Sequence, residues 1–219
     1  MSNIVFLGPP GCGKGTQGDF LVYNANYFKV SLGDVLRNYR QDSTKLHHKE
    51  INELMDTGKL LPDSIVNSVA EDYVLDHKNE QNFLMDGYPR SLNQAEYLDK
   101  IFAKINQNIN FAIFFDISLD TLVGRLQNRF MCKKCGAIYN KITQKPKIEG
   151  KCDICNSEDF TFRKDDEAID VIKTRFEEYN LITKPVLDYY KIENKLETII
   201  MDDMNPKEIH TLVMKLLNK

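Results

Sequence analysis

The run Ile4-Val5-Phe6-Leu7, followed at once by Gly8-Pro-Pro-Gly-Cys-Gly-Lys-Gly-Thr16, constrains this chain more than any other stretch. A short, wholly apolar strand must break into a turn, and the turn must open into a helix. Glycines let the backbone curl so that successive N–H groups converge, and the helix N-terminus adds partial positive charge at the same point. The arrangement reads as a phosphate cradle. Gly11, Cys12, Gly13 and Gly15 shape it, Lys14 reaches the outer phosphates, and Thr16 offers a hydroxyl to Mg²⁺. The general pattern places Ser or Thr directly after the lysine; here Gly15 intervenes, which narrows the choice among such loops. A ligand-free strand-to-helix connection is the bland alternative, and the agreement of glycines, lysine and context outweighs it.

Apolar, β-rich runs recur at 3–7, 27–30, 83–85, 111–115 and 198–201, with helical periodicity between them at 92–102, 119–129 and 168–190. Strands that are apolar throughout and separated by helices predict an α/β fold with a five-stranded parallel sheet covered on both faces. Such sheets bind ligands at the carboxyl ends of their strands, where the glycine loop falls. Pro206 marks the first turn of a closing helix that runs through Leu216-Leu217. The stretch 31–61 is predicted to be mainly helical, with Leu36, Leu46, Ile51, Leu54 and Met55 as apolar positions and Gly58 ending it.

The formal charge of −3, with 42% apolar and 28% charged residues, gives no general reason to expect nucleic acid or an anionic membrane as partner. Attraction for phosphates must therefore be local. The first strand begins by Asn3 and the longest apolar run is 111–115, so neither a leader nor a bilayer span is expected, and a cytoplasmic protein is. Only seven arginines occur, at 37, 40, 90, 125, 129, 163 and 175. Lysine covers the surface, so arginine is expected where its planar fork suits phosphate oxygens, salt bridges accounting for one or two.

The segment 130–163 differs in composition, with four cysteines, many lysines and few apolar runs. Cys132-Lys-Lys-Cys135 and Cys152-Asp-Ile-Cys155, separated by 16 residues, have the spacing of a four-thiolate zinc site. Gly136 after the first pair and Gly150 before the second allow tight turns. Four occupied thiolates leave no open coordination position, so the metal would be structural. Two disulfides or free thiols are the alternatives, and an intracellular setting disfavours the first. Cys12 is a fifth, separate thiol.

Taken together, the motifs resemble the adenylate kinase family. The resemblance rests on Gly8–Gln17, Ser31-Leu-Gly-Asp34-Val-Leu-Arg37, Asp86-Gly-Tyr-Pro-Arg90 with Gln94, Arg125-x₃-Arg129, Arg163-Lys-Asp165-Asp166 and Arg175, and covers essentially the whole chain. It points to the long form with a zinc-containing lid. It implies a P-loop core at 1–30, 62–129 and 165–219, a subdomain for the nucleoside monophosphate at 31–61, and a lid at 130–164. The implied reaction is reversible phosphoryl transfer from Mg·ATP to AMP, giving two ADP, in a monomer. Positive groups around the moving phosphoryl then carry catalysis, with little need for a nucleophile.

By the same resemblance, Lys14, Arg90, Arg129, Arg163 and Arg175 surround the transferring group, and Arg37 and Arg90 grip the AMP phosphate. Arg125 and Met204 lie by the ATP base, with Ile138 and Tyr139 also on the ATP side. Leu32, Lys59, Leu60, Leu61, Gly87, Tyr88, Pro89 and Gln94 form the AMP pocket, which Arg163 and Arg175 approach. Thr16, and Asp86 through ordered water, serve Mg²⁺. Asp165 and Asp166 sit at the lid hinge, or simply favour the positive end of the next helix. Leu32 replaces the threonine common at its position, and Met204 stands where some members place lysine. A kinase for another base, or one using GTP, is the alternative within the fold; a regulatory module engaging nucleic acid through the zinc segment is the alternative outside it.

Overall fold

The computed structural model describes residues 2–56, 61–162 and 169–218. Chain order begins β1 (Asn3–Leu7), α1 (Lys14–Ala25), β2 (Phe28–Ser31), α2 (Leu32–Gln41) and α3 (His48–Asp56). Next come α4 (Asp63–Asp76), β3 (Phe83–Asp86), α5 (Leu92–Lys104), β4 (Ile109–Asp116) and α6 (Leu119–Gln127). Three short strands follow: β5 (Arg129–Cys132), β6 (Ile138–Asn140) and β7 (Phe160–Thr161). The chain closes with α7 (Ile169–Ile192), β8 (Leu196–Ile200) and α8 (Pro206–Leu217). The expected five-stranded parallel sheet is present, in the order β2-β3-β1-β4-β8.

Two compact units divide the chain. One comprises Met1–Leu7, Gly18–Phe114 and Ile182–Glu197; the other comprises Gly8–Gln17, Phe115–Leu181 and Thr198–Lys219. In the first unit, every residue of β1 is buried, and Ile4, Val5 and Phe6 pair with Leu84, Met85 and Asp86. Residues buried on both faces explain why these strands read as unbroken apolar runs and not as alternation. Leu32, Val35 and Tyr39, one to two turns apart on α2, meet Ile51 of α3 and Val66, Val69, Ala70 and Val74 of α4 in one core cluster. Leu46, expected among the apolar positions, is instead 45% exposed in the connection between α2 and α3. Its place is taken by Val35 and Tyr39, whose helical spacing with Leu32 marks the buried stripe.

The second unit holds the glycine loop and a three-stranded antiparallel sheet, β6-β5-β7. The helix expected over 119–129 stops at Gln127, and Arg129 opens β5 opposite Asn140. An aromatic cluster gives this sheet a core: Phe130 stacks on Tyr139 at 5.7 Å, and Phe160 meets both edge-on at 5.4 and 5.8 Å. Two caps fix helix starts here. Ser118 accepts the Thr121 N–H, and Asn205 and Glu208 form a reciprocal capping box ahead of Pro206. Pro185 lies inside α7 and removes the hydrogen bond to the Leu181 carbonyl, at the point where the helix passes from one unit to the other.

Candidate active site

In the second unit the loop after β1 is fixed by close packing. Gly8, Gly11 and Gly13 have φ of 151°, 91° and 114°. A Cβ on Gly11 would stand 2.3 Å from Leu126 Cδ2, so the positive φ and the tight approach both require glycine there. The Lys14 ammonium folds over the loop, donating to the carbonyls of Gly8 and, at 3.0 Å, Pro9. Cys12 is fully buried and its N–H donates to the Pro9 carbonyl at 3.2 Å, so this thiol fills the space beneath the loop.

Arg125 holds this loop from α6. Its guanidinium donates to the Cys12 carbonyl at 2.9 Å and to the carbonyls of Met201 and Met204 at 2.8 and 3.0 Å. Burial lowers its pKa from the ordinary value. Gln17, buried one turn into α1, donates to the Pro206 carbonyl at 2.8 Å. Arg129 and Arg175 are both half-buried, on β5 and α7. Ile138 and Tyr139 lie on β6, and Tyr139 is only 4% exposed.

In the first unit the candidate monophosphate residues gather around the ends of β2 and β3, where Ser31 pairs with Asp86. Leu32 begins α2 and is buried in the core cluster. Asp34 pairs with Arg37 one turn later; burial opposes its ionisation, yet bonds to Ser31 and Arg37 hold its carboxyl below the ordinary range. Gly87, with φ of 78°, and the cis Tyr88–Pro89 bond turn the chain so that Arg90 Nε donates to the Gly87 carbonyl at 2.9 Å. Tyr88 is fully buried and donates to Asn67 Oδ1 at 2.7 Å, so its ring belongs to the core. Gln94 accepts the Arg90 N–H at 2.7 Å and donates from Nε2 to Asp63 Oδ1 at 2.6 Å. Leu61 packs against the same cluster, whereas Lys59, Leu60, Arg163, Asp165 and Asp166 lie outside the described residues. Asp86 is half-buried with Lys29 Nζ at 3.9 Å.

The four cysteines at 132, 135, 152 and 155 converge. Their sulfurs all lie within 4.8 Å of one another, with Cys132–Cys155 and Cys135–Cys152 at 3.5 Å. Zn–S bonds of about 2.3 Å in a tetrahedron place sulfurs about 3.8 Å apart, so the set fits zinc. Each pair is carried on the same knuckle. The Cys132 carbonyl accepts from Gly136 N–H and Cys132 N–H donates to Ala137; Cys152 repeats this with Asn156 and Ser157, all four at 2.9 Å. Gly136, Gly150 and Asn156 are all left-handed, but the N–H bonds back to the first cysteine of each pair come from Gly136 and Asn156, so Asn156 and not Gly150 is the counterpart of Gly136. Burial opposes ionisation of Cys152, but donation from the Tyr139 hydroxyl and from the N–H groups of Cys155 and Ile154 brings its thiol down to about 6. Cys135 accepts from the Ala137 N–H, yet burial and the neighbouring thiols push it up to about 12. A cation is what would let all four ionise together.

One residue outside the expected set, Asp63, and one expected elsewhere, on the ATP side, Tyr139, make contacts that the sequence reading did not foresee. Asp63 bonds Gln94, and Tyr139 links to the thiolate cluster at 3.4 Å while accepting the Asp153 N–H at 2.7 Å. Asp63 directly after Pro62 reads in sequence as an acidic helix start, which hides its second role.

A lysine-bearing glycine loop between the first strand and first helix of a parallel α/β sheet defines a P-loop nucleotide-binding protein. The family model described as adenylate kinase matches residues 6–195. An adenylate kinase of Thermosipho melanesiensis is 40% identical over 197 residues, covering 90% of this chain and 91% of the relative. One from Rickettsia africae is 37% identical over 214 residues, covering 98% of each, and one from Fervidobacterium nodosum is 36% identical over 197 residues, covering 90% and 89%. The chain belongs to the adenylate kinase family.

Proposed function

We propose that the chain reversibly moves the terminal phosphoryl group of Mg·ATP to AMP, giving two ADP. The observation that carries this is the match to the adenylate kinase family through residues 6–195, which takes in both the glycine loop and the Gln94 cluster. Lys14 and the loop N–H groups hold the donor phosphates, with Gly11, Cys12, Gly13, Gly15 and Thr16 as the cradle. Arg125 keeps that cradle in shape through the Cys12 carbonyl. Arg129, Arg163 and Arg175 supply positive charge as the phosphoryl moves, the contribution that in-line transfer between polyanions most requires.

Arg37 and Arg90 bind the AMP phosphate. Arg37 would exchange its bond to Asp34 for phosphate oxygens, a charge-assisted pair of the same kind. Gln94 reads the base, with Leu32, Leu60, Leu61, Gly87, Tyr88 and Pro89 walling the pocket and Lys59 beside it. A buried leucine at position 32 offers no hydrogen bond, so base selection falls on Gln94. Mg²⁺, held through Thr16 and waters ordered by Asp86, neutralises developing phosphate charge when bound. Zinc in the four-cysteine site stabilises the 130–164 lid, which closes over the donor phosphates and excludes water, as 31–61 does over the monophosphate. A cytoplasmic monomer suffices for this activity; among the described residues no helix is long and apolar enough to cross a membrane.

A coupled assay with ATP or GTP as donor and AMP, GMP, CMP or UMP as acceptor tests the proposal. ADP formation that depends on AMP and ATP is expected; a preference for another monophosphate, or for GTP, overturns the substrate assignment.

A further inference from the structure

The Gln94 side chain is 5% exposed and caught between two partners of opposite kind. Arg90 N–H can only donate, and it meets Oε1 at 2.7 Å; the Asp63 carboxylate only accepts, and it meets Nε2 at 2.6 Å. Turning the amide over would set oxygen against carboxylate and N–H against N–H, so one orientation alone is compatible with both. Asp63 is held in its turn. Its second oxygen accepts the Ser91 hydroxyl at 2.6 Å, and Ser91 Oγ accepts the Gln94 N–H at 3.2 Å as the cap of α5. The ring of contacts therefore closes on itself.

We propose that Asp63 is a specificity-determining positioning residue: by fixing which way the Gln94 amide faces, it makes the monophosphate pocket accept the six-position edge of adenine and refuse the reversed edge. The inference rests on the reading that Gln94 contacts the AMP base. An amide engaged on each atom once retains one N–H and one lone pair for a ligand. Adenine presents a donor at N6 and an acceptor at N1; a 6-oxopurine presents an acceptor and a donor in the same places. With the phosphate anchoring the nucleotide, a freely turning amide would serve either base. A locked one serves one of them, and the other leaves buried polar groups unpaired.

The test compares AMP with inosine monophosphate, which matches AMP in size and carries the reversed edge. Wild type should favour AMP. Asp63→Asn can donate as well as accept, so a turned-over amide then conflicts with the Arg90 N–H alone instead of with both partners: the KM for AMP should rise, and the AMP-to-IMP ratio of kcat/KM should fall, by about tenfold. The kcat for AMP and the KM for ATP should stay within about threefold, and Asp63→Glu, which keeps an acceptor, should restore part of the ratio. A ratio within about twofold of wild type in folded Asp63→Asn and Asp63→Ala overturns the proposal. Should those variants fail to fold, the Gln94 side-chain amide in ¹⁵N-labelled wild type decides. A slowly exchanging Nε2–H supports the lock, and a freely exchanging one sinks it. Failure of wild type to phosphorylate AMP at all would remove the functional reading and this inference together, whereas AMP preference with an unmoved ratio would remove the inference alone.

Discussion

Glycine positions that look alike in the loop sequence differ in what they demand. Gly11 has φ of 91° and no room for a Cβ against Leu126, whereas Gly15 lies in α1 with nothing within 4 Å of a built Cβ. Gly11→Ala should lose at least about 1–3 kcal/mol from backbone strain alone. At about 2–4 °C per kcal/mol that is a clear fall in the unfolding midpoint. Gly15→Ala should hold the midpoint or raise it slightly, since alanine is favoured over glycine in a helix by up to about 1 kcal/mol. Thermal unfolding of the two variants without nucleotide checks this, and equal midpoints would contradict it. Lys14 and Gln94 are legible from sequence because the motifs around them are specific. Asp63 is not, because its role depends on a bond to a residue 31 positions away that no local spacing announces.

Among the elements, those of the large sheet were readable because strands buried on both faces leave continuous apolar runs, and β1 and β3 fall where the runs are. The small sheet was not. Its strands have two to four residues, too few for any periodicity, and it is held by rings and by the cysteine knuckles that bracket it. The same shortness explains why Arg129 reads as the end of a helix although it begins β5. An element with so little apolar content is one that a metal at the four cysteines would stabilise most. Cys132→Ser or Cys152→Ser should lower zinc content and the unfolding midpoint while turnover at moderate temperature persists. Metal analysis beside melting curves and assays tests it; immediate loss of turnover in a folded variant would show that the metal does more than stiffen.

For the molecule as a whole, nucleotide binding and stability should be linked. AMP at about one hundred times its Kd should add about 2.7 kcal/mol to stability, raising the unfolding midpoint by about 5–10 °C. UMP at the same concentration should shift it far less if Gln94 selects the base. Equal shifts would mean that the phosphate alone is recognised. Neither compact unit is a single stretch of chain, and the Arg125 fork joins Cys12 to Met201 and Met204. During translation the loop must therefore wait, without its final brace, until Met201 and Met204 have been added. A ribosome stalled before residue 201 releases a product whose glycine loop lacks the brace that Arg125 gains from the Met201 and Met204 carbonyls.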